Sequence, residues 1–440
     1  MRLRDQGRTQ VQPGHRRGKV TRWPERKLPA WPFGYAHLTE PGTYRYKLEF
    51  TDEALDVFGP GARVLSLALP FDTKAVTDAK GTGPRPVAAF LEGLLPEGSL
   101  RRHLAANLGV TAIDNLELLR AVGAECAGAV QFLPEGEVPS AGTVRELTAD
   151  EVSRLIADLP TYHLPDGTLP QASLAGIQDK VLLTARPDGS WAWPRGGAVS
   201  SHIIKPEPLS GAAMPHLIQT EHWAMSVADA AGLSAAQTRV EIFDGRSALV
   251  VARYDRASDG ERLHQEDFCQ ALGLDPDAKY ESTSEYERLG SRLRRLASVA
   301  ADRAIDPQTF RVDLLSAVTF NIIVGNGDAH SKNYSLLLSR RGEVSLAPLY
   351  DSAPVMYLDS RFRGTGHVIN GRTGIDTVDE ADLVAEARSW GLAPRVAQNT
   401  VRSVMAKVWD AAHSIALPPG AEQVSDRLET LWVRRQWTVP

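Results

Sequence analysis

The chain has 440 residues, of which 43% are apolar and 23% are charged, a composition typical of a globular protein with more than one core. Lys and Arg total 49 against 54 Asp and Glu, a formal charge of -5, which argues against a protein that coats nucleic acid over its whole surface. No apolar run approaches the roughly 18 residues that cross a bilayer, and no apolar stretch follows the basic N-terminus, so we expect no membrane segment, no secretory signal and a cytoplasmic location.

The chain opens with a basic, polar segment that includes RDQGRTQVQPGHRRGKVTRW. Such a sequence buries little apolar surface, so we predict a flexible tail over residues 1–38. A nucleic-acid-binding arm is the alternative, because Lys and Arg contacts to phosphates release counterions.

Residues 39–140 show a change to mixed strand and helix patterns. TYRYKLEF alternates and predicts a strand, and VLSLALP predicts a second one. Two longer stretches, RPVAAFLEGLLPEGSLRRHLAANLGV and DNLELLRAVGAECAGAVQFLP, predict helices and a further strand. Cys126 and Cys269, the two cysteines, stand in apolar contexts that favour buried, reduced thiols. A Pro-, Gly- and Ser-rich segment at 134–144 predicts a domain boundary.

Strand patterns dominate residues 141–256. Thr148 precedes Glu151 by three positions, the spacing of a capping box at the start of a helix. Strands are predicted in VLLTAR, WAWP and SSHIIKPEP, a helix in TEHWAMSVADAAGL, and a hairpin with an Asp-Gly turn in TRVEIFDGRSALVVARYDR. From residue 257 to 440 the patterns are helical, at 291–301, 312–324, 380–390 and 397–412. The fold class is therefore α+β, with a strand-rich lobe before a mainly helical one.

Polar residues follow an apolar helical pattern at GNGDAHSKN, residues 325–333. Asp328 and Asn333 are five positions apart, the interval that separates the catalytic Asp and the metal-binding Asn in kinase loops of the form H-R-D-x-x-x-x-N. A carboxylate there can accept a proton from an attacking hydroxyl, and a neutral amide oxygen can ligate Mg²⁺. An ordinary Asn-Gly-Asp turn is the alternative.

Three further residues fit the same chemistry. Asp351, in LAPLYDSAP, stands after a short apolar stretch and would supply a second hard oxygen ligand for Mg²⁺. Lys205, at the end of the HIIK run, could reach nucleotide phosphates, with Glu221 on the next helix to hold it. Taken singly, Asp351 could be a turn residue and Lys205 a solvated strand end. Their joint order along the chain favours the kinase interpretation.

A loop with small residues precedes the VLLTAR strand. Exposed backbone N–H groups in ASLAGIQDK could cradle phosphate oxygens, and we assign Ala175, Gly176, Ile177 and Gln178 to nucleotide binding. One glycine makes this a weak signal, and an ordinary entry into a hairpin is equally compatible with it.

Several of these segments together resemble the HipA family of serine/threonine-protein kinases, the toxins of bacterial toxin–antitoxin pairs. The segments that carry the resemblance are SLAGIQDKVLL, HIIKPE, VVARYDR, RLHQEDFCQALGLDPDAKYE, FNIIVGNGDAHSKNYSLLL and LAPLYDSAP. Upstream, LSLALP, LLPEGSLRRHLAANLGV and AECAGAVQFLPEGE resemble the family's N-terminal subdomain. The resemblance spans approximately residues 43–435.

The resemblance implies a bilobal, protein-kinase-like fold with an additional N-terminal β-rich subdomain and a mainly α-helical C-terminal lobe. The implied units are an N-terminal subdomain at 39–140, a kinase N-lobe with the ATP-binding loop at 141–256 and a helical C-lobe with the catalytic loop at 257–440. The implied cofactors are ATP and Mg²⁺, and the implied reaction is transfer of the γ-phosphoryl group to a protein serine.

By motif, the resemblance assigns a role to several residues. Asp328 would be the catalytic base, Asn333 and Asp351 the magnesium ligands, and Lys205 the phosphate contact. Lys332 would stabilise charge on the transferred group. Ser173 matches the serine that family members autophosphorylate, and a phosphate there would repel incoming ATP.

The resemblance also implies partners. These are a helix-turn-helix, HipB-like antitoxin, DNA reached only through that antitoxin, and a protein substrate, for which family members use aminoacyl-tRNA synthetases. The implied outcome is inhibition of translation and growth. A small-molecule kinase and a catalytically idle co-repressor are the two alternatives. Three departures from the family pattern are the missing strand near residue one, His264 in place of a Pro, and the segment DSRFRGTGHVINGRTGIDT.

Overall fold

The computed structural model describes residues 17–22, 31–39, 43–71, 74–81, 83–159, 178–208 and 214–419, and beyond these 421, 422, 424, 425, 428, 429 and 432. Within these residues, the chain forms an N-terminal subdomain and two lobes. The Cys126 and Cys269 side chains are both buried, as predicted. No helix among the described residues is long and apolar enough to cross a membrane.

The N-terminal subdomain is an antiparallel sheet covered by short helices. Its strands are β1 (Arg17–Arg22), β2 (Trp31–Leu38), β3 (Tyr46–Phe50), β4 (Ala75–Thr77) and β5 (Val130–Pro134). Its helices are α1 (Asp52–Phe58), α2 (Pro86–Gly93), α3 (Gly98–Leu108) and α4 (Asn115–Val122). The spatial order of the strands is β4-β3-β2-β1-β5. The apolar sides of the sheet and helices meet in one core that includes Leu48, Phe90 and Phe132.

The first two strands lie where the sequence predicted a flexible tail, so that prediction is wrong for residues 17–22 and 31–38. β1 pairs with β2 on one side and with β5 on the other. β2 also contributes Phe33 and Ala36 to the subdomain core. The physical reason is that β1 gains hydrogen bonds from two neighbouring strands, one of them more than 100 positions away, and local composition does not show that pairing.

The segment VLSLALP is a buried loop and not the predicted strand. Its backbone groups bond to side chains from a distant part of the chain: Glu266 Oε1 accepts from Leu67 N at 2.8 Å, and His264 Nε2 lies 2.8 Å from the Leu65 carbonyl oxygen. Because these side chains replace a sheet partner, the loop can be apolar and buried without a ladder. His264 therefore has a structural role.

The strand-rich lobe is a second sheet of six strands. They are β6 (Thr143–Leu147), β7 (Val181–Ala185), β8 (Trp191–Arg195), β9 (His202–Pro206), β10 (Thr238–Phe243) and β11 (Arg246–Ala252), and the helices are α5 (Ala149–Asp158) and α6 (Leu217–Ala230). The spatial order is β10-β11-β9-β7-β8-β6. The predicted Thr148 and Glu151 capping box is present at the start of α5, and Asp244 and Gly245 form the β10–β11 turn with positive φ angles of 45° and 79°.

Up to residue 414, the described residues of the helical lobe form seven α-helices and five short strands. The helices are α7 (Phe268–Leu272), α8 (Thr283–Leu289), α9 (Arg292–Ala301), α10 (Pro307–Val324), α11 (Val355–Leu358), α12 (Glu380–Ser389) and α13 (Pro394–Ser414). The strands are β12 (His264–Asp267), β13 (Ser335–Leu338), β14 (Val344–Leu346), β15 (Gly364–Ile369) and β16 (Arg372–Gly374). α10 is buried along most of its length and packs against α9, α12 and α13. This central helix ends at the GNGDAHSKN loop.

A buried ionic cluster joins the N-terminal subdomain to the strand-rich lobe. We call it the joint cluster: Glu125, Arg253, Asp255, Arg256 and Arg262, all buried. Glu125 Oε1 accepts from Arg253 Nη1 and Arg256 Nη2, each at 3.0 Å, and Glu125 Oε2 pairs with Arg262. Asp255 accepts from Arg253 and from the backbone N–H of Gly128 at 2.7 Å. Each charge has an opposite charge beside it, which is the condition for burying ions at all.

Candidate active site

Lys205, Glu221 and Asp351 meet although they lie on three separate elements. Lys205 is on β9, opposite Leu249 of β11, and Glu221 is on α6. Lys205 Nζ donates to Glu221 Oε1 at 2.8 Å and to Asp351 Oδ1 at 2.5 Å. Burial alone would lower the pKa of Lys205, but the two carboxylates outweigh it and raise that pKa, so the ammonium stays charged. Burial raises the pKa of Glu221 above its ordinary value.

Asp351 reaches this position through an unusual backbone conformation. Its φ angle is 55°, in the left-handed region that Asp adopts more readily than most residues. The preceding segment is fixed to the strand-rich lobe, because Ala236 N donates to Leu349 O and Leu349 N donates to Ser234 O, each at 2.8 Å. The Asp351 side chain is 42% exposed, toward the cleft. Desolvation there would raise its pKa, but Lys205 and Lys180 hold it at about 2.

The GNGDAHSKN loop begins where α10 ends. Gly325 ends the helix with a φ angle of 78°, and a Cβ atom there would lie 2.7 Å from the Tyr357 ring. Asn326 Nδ2 donates to Asn321 Oδ1 at 2.8 Å, and Ser352 Oγ donates to the same oxygen at 2.9 Å. This buried network ties the helix, the loop and the residue after Asp351 together. The polar residues therefore hold the loop in one conformation through buried hydrogen bonds. An ordinary exposed turn would not need such a buried network.

Asp328 and Asn333 are linked within this loop. Asn333 Nδ2 donates to the Asp328 carbonyl oxygen at 2.8 Å, which leaves Asn333 Oδ1 as the amide atom that could ligate a cation. The Asp328 side chain is 34% exposed and accepts a hydrogen bond from the Tyr280 hydroxyl. Desolvation, with a contribution from the Asp351 charge, raises the pKa of Asp328 to about 6 against the lowering effect of that hydrogen bond.

Lys332 of the same loop is buried beside two carboxylates. Its Nζ lies 3.2 Å from Glu97 Oε1 and 3.5 Å from Asp267 Oδ2. Burial alone would lower the pKa of Lys332, but Asp267 and Glu97 raise it above its ordinary value. The side chain is therefore a fixed positive charge at the catalytic loop.

A cavity of about 420 Å³ lies at this meeting point, within the size range of small-molecule sites. Of the predicted site residues, Gln178, Lys205, Glu221, Asp328, Lys332, Asn333 and Asp351 line it. Ser173, Ala175, Gly176 and Ile177 lie outside the described residues.

The motifs in the sequence did not reveal two residues that line the cavity, Lys180 and Glu97, or Tyr280, which donates a hydrogen bond to Asp328. Burial and the neighbouring Lys205 lower the pKa of Lys180 to about 8. Lys180 and Tyr280 both lie inside segments that resemble the family, in SLAGIQDKVLL and DPDAKYE. Their positions were thus visible in the sequence, but no spacing rule assigned them a role.

The donor atoms at the cavity suit Mg²⁺ better than a softer metal. Among the described residues, no group of three or more His, Cys, Asp or Glu side chains could hold a metal ion alone. Mg²⁺ is commonly held by one or two carboxylates together with phosphate oxygens and water. Asp351 and Asn333 could supply such a partial set of ligands, with the remaining oxygens from a nucleotide.

Two known family domains match this chain. The HipA-like C-terminal domain matches residues 172–412, more than half of the chain, and the HipA N-terminal domain matches residues 29–133. The chain belongs to the HipA family. The N-terminal match begins before β2, which agrees with the ordered strand there and not with a tail that extends to residue 38.

Individual relatives agree with the HipA assignment. The chain is 34% identical over 304 residues to the serine/threonine-protein kinase toxin HipA of Shewanella oneidensis, covering 66% of this chain and 68% of that protein. It is 38% identical over 296 residues to Y4mE of Sinorhizobium fredii, named as a candidate kinase, covering 64% of this chain and 68% of that one. These names identify the HipA family as a kinase family.

A solved structure shows the same fold. It is the Shewanella oneidensis MR-1 toxin–antitoxin complex of HipA, HipB and operator DNA, with a TM-score of 0.73, 27% identity, and coverage of 92% of this chain and 94% of that one. The chain therefore has the HipA fold: a bilobal, kinase-like α+β structure with an N-terminal β-rich subdomain and a mainly helical C-terminal lobe.

Proposed function

We propose that this protein is a cytoplasmic ATP- and Mg²⁺-dependent serine/threonine-protein kinase that acts as a HipA-type toxin. The observation that carries the proposal is the meeting of Lys205, Asp328, Lys332, Asn333 and Asp351 around one cavity, from two lobes and widely separated parts of the chain. In kinases a lysine on the phosphates, a catalytic Asp, and an Asn and an Asp on the metal occupy such positions.

The proposed reaction assigns each residue one task. Asp328 accepts the proton of a serine hydroxyl while the serine oxygen forms a bond to the γ-phosphorus, and the bond from that phosphorus to the β,γ-bridging oxygen breaks to release ADP. Mg²⁺, when bound, neutralises negative charge on the phosphate oxygens. Asn333 and Asp351 would hold that ion, and Lys205 would turn from Asp351 to the phosphates while Glu221 keeps it in the cleft. Lys332 adds a fixed positive charge.

Label transfer from γ-labelled ATP tests the reaction. We expect the purified protein with ATP and Mg²⁺ to label itself, and Asp328→Asn to lower that rate by about 10²- to 10⁴-fold, the usual contribution of a positioned general base. Asp351→Asn should lose transfer as well, through loss of a metal ligand. Asp302→Asn, a change at an exposed position away from the cavity, is the matched control and should keep both activity and fold. Full transfer by Asp328→Asn would refute the assigned base.

The acceptor is tested by a second substitution. Ser173→Ala should remove self-labelling while leaving transfer to another protein intact. ATP turnover without label on any protein would instead favour a small-molecule kinase.

We further propose an antitoxin partner and a translation-related substrate. The relative from Shewanella oneidensis forms a complex with HipB and operator DNA, which supports a helix-turn-helix antitoxin here, with DNA reached through that partner. Phosphoproteomics after brief expression, compared with the Asp328→Asn variant, should reveal a new phosphoserine on an aminoacyl-tRNA synthetase together with arrested protein synthesis. Growth arrest by Asp328→Asn equal to that of the wild type would contradict a kinase toxin.

A further inference from the structure

Glu97 enters the kinase cavity from outside the two kinase lobes. It is the N-cap residue of α3, in the N-terminal subdomain, yet its side chain makes no capping hydrogen bond to that helix. Its carboxylate bridges two lysines of the helical lobe: Oε1 lies 3.2 Å from Lys332 Nζ, and Oε2 lies 3.2 Å from Lys279 Nζ. Burial would raise the pKa of Glu97, but these lysines hold it at about 2, so the carboxylate is ionised at neutral pH.

Glu97 is the nearer of the two carboxylates beside Lys332. Asp267 lies farther away, at 3.5 Å, and its Oδ1 already accepts from the Gln270 backbone N–H at 2.8 Å as the cap of α7. A buried ammonium needs a close anion, because a buried charge without a partner of opposite charge is strongly destabilising. Each carboxylate has one oxygen engaged elsewhere, and the free oxygen of Glu97 is the closer of the two to Lys332.

The attachment of the N-terminal subdomain does not require Glu97. The joint cluster connects the subdomain to the strand-rich lobe through separate buried ion pairs. Gln270 Nε2 also donates to the Phe90 carbonyl oxygen at 2.9 Å, which connects α7 to α2. Two other sets of contacts thus hold the subdomain in place. The contacts of Glu97 with Lys332 and Lys279 are therefore not needed for that attachment.

The same bridge reaches both sides of the catalytic loop. Lys279, the second partner of Glu97, also accepts a hydrogen bond at its carbonyl oxygen from the Ser331 backbone N–H at 3.0 Å. The next residue, Tyr280, donates to Asp328. A displacement of Glu97 would therefore disturb Lys332 directly and Asp328 through Lys279 and Tyr280.

We propose that Glu97 is a positioning residue for phosphoryl transfer, by which the N-terminal subdomain holds Lys332 in place at the catalytic loop. The proposal rests on the kinase function proposed above. On this proposal, the N-terminal subdomain does more than pack beside the kinase site: it contributes a residue to it.

Steady-state kinetics of Glu97→Gln provide the first test. Loss of the charge should lower kcat about 10- to 100-fold, the range expected when a catalytic group is displaced by about 1 Å. The KM for ATP should stay within about twofold, because Lys205 and Asp351 are untouched. Glu97→Asp should recover part of the loss. Glu117→Gln, on α4 of the same subdomain and outside the cavity, is the matched control and should behave as the wild type.

The second test does not depend on activity. In protein with isotope-labelled lysine side chains, assigned with the Lys332→Arg variant, Glu97→Gln should shift and broaden the NMR resonances of the Lys332 side chain at neutral pH, whereas Glu117→Gln should leave them unchanged. Unchanged Lys332 resonances in Glu97→Gln, or an unchanged kcat in an active enzyme, would overturn the proposal. A wild-type protein that transfers no phosphate would refute the proposed function instead, and the Lys332 resonances would still decide whether Glu97 holds Lys332.

Discussion

The joint cluster and the cleft triad of Lys205, Glu221 and Asp351 are both ionic groups that connect distant parts of the chain, but they differ in exposure to the cleft. No side chain of the joint cluster is more than 4% exposed. In the joint cluster, the Arg253 guanidinium alone donates to Glu125, Asp255, Ser200 and the Cys126 carbonyl oxygen. In the cleft triad, Lys205 Nζ has two carboxylate partners, and the Asp351 side chain is 42% exposed.

This difference separates structural charges from charges that can change partner. A charge bonded on every side can leave its partners only if the fold opens, so it fixes the position of one subdomain on another. A charge with one side open to a cavity can exchange a protein partner for a ligand at small cost. The two groups should therefore respond to substitution in opposite ways, one in stability and the other in activity.

The largest expected effect is on stability, from Glu125→Gln. The change keeps the shape of the side chain but removes the anion between Arg253, Arg256 and Arg262, and loss of one partner from a buried ionic group costs about 3–5 kcal/mol. Urea denaturation should show this loss in the free energy of unfolding. Below the unfolding transition, the kinase activity per folded molecule should change little. A Glu125→Gln variant that is as stable as the wild type but inactive would contradict the structural role of the joint cluster.

Local sequence was enough to predict most of what the cleft triad and the catalytic loop contain. The five-residue interval between Asp328 and Asn333 is a property of one short loop, and the β10–β11 turn follows from Asp244 and Gly245. Such features depend on neighbouring residues along the chain, so the sequence displays them directly. The grouping of Lys205 with Asp351 was inferred from their order along the chain, and the structure places them in contact.

The features missed all depend on contacts between distant segments. β1 was assigned to a tail because its composition is basic, whereas its pairing with β5 requires residues far along the chain. The VLSLALP loop resembles a strand until Glu266, 199 positions away, supplies its hydrogen bond. Glu97 lies in an ordinary helix start, and nothing near it in sequence indicates a lysine of the catalytic loop.

A smaller effect, on activity, is expected from Lys205→Met. Removal of the ammonium from the phosphate site should lower kcat/KM for ATP by about 100-fold, the size of effect seen when one charge-stabilising group is removed. The free energy of unfolding should fall less than in Glu125→Gln, because Asp351 can be solvated from the cleft and Glu221, with its raised pKa, can take up a proton. Lys407→Met, at an exposed position of α13, is the control for loss of a lysine. A greater loss of stability than in Glu125→Gln would contradict the distinction between the two groups.

The smallest effect concerns pH and the bond from Tyr280 to Asp328. With the pKa of Asp328 at about 6, the ionised carboxylate is lost as pH falls through that value, so kcat should decline on the acid side near pH 6. Tyr280→Phe removes a hydrogen bond that lowers this pKa, so the acid limb should move to higher pH. A hydrogen bond worth about 0.5–1.5 kcal/mol corresponds to a shift of about 0.4–1.1 units. Tyr286→Phe keeps the contact between Tyr280 and Asp328, so it should leave the acid limb of the pH profile in place. A shift of the Tyr280→Phe profile to lower pH would show that Tyr280 does not stabilise the ionised Asp328.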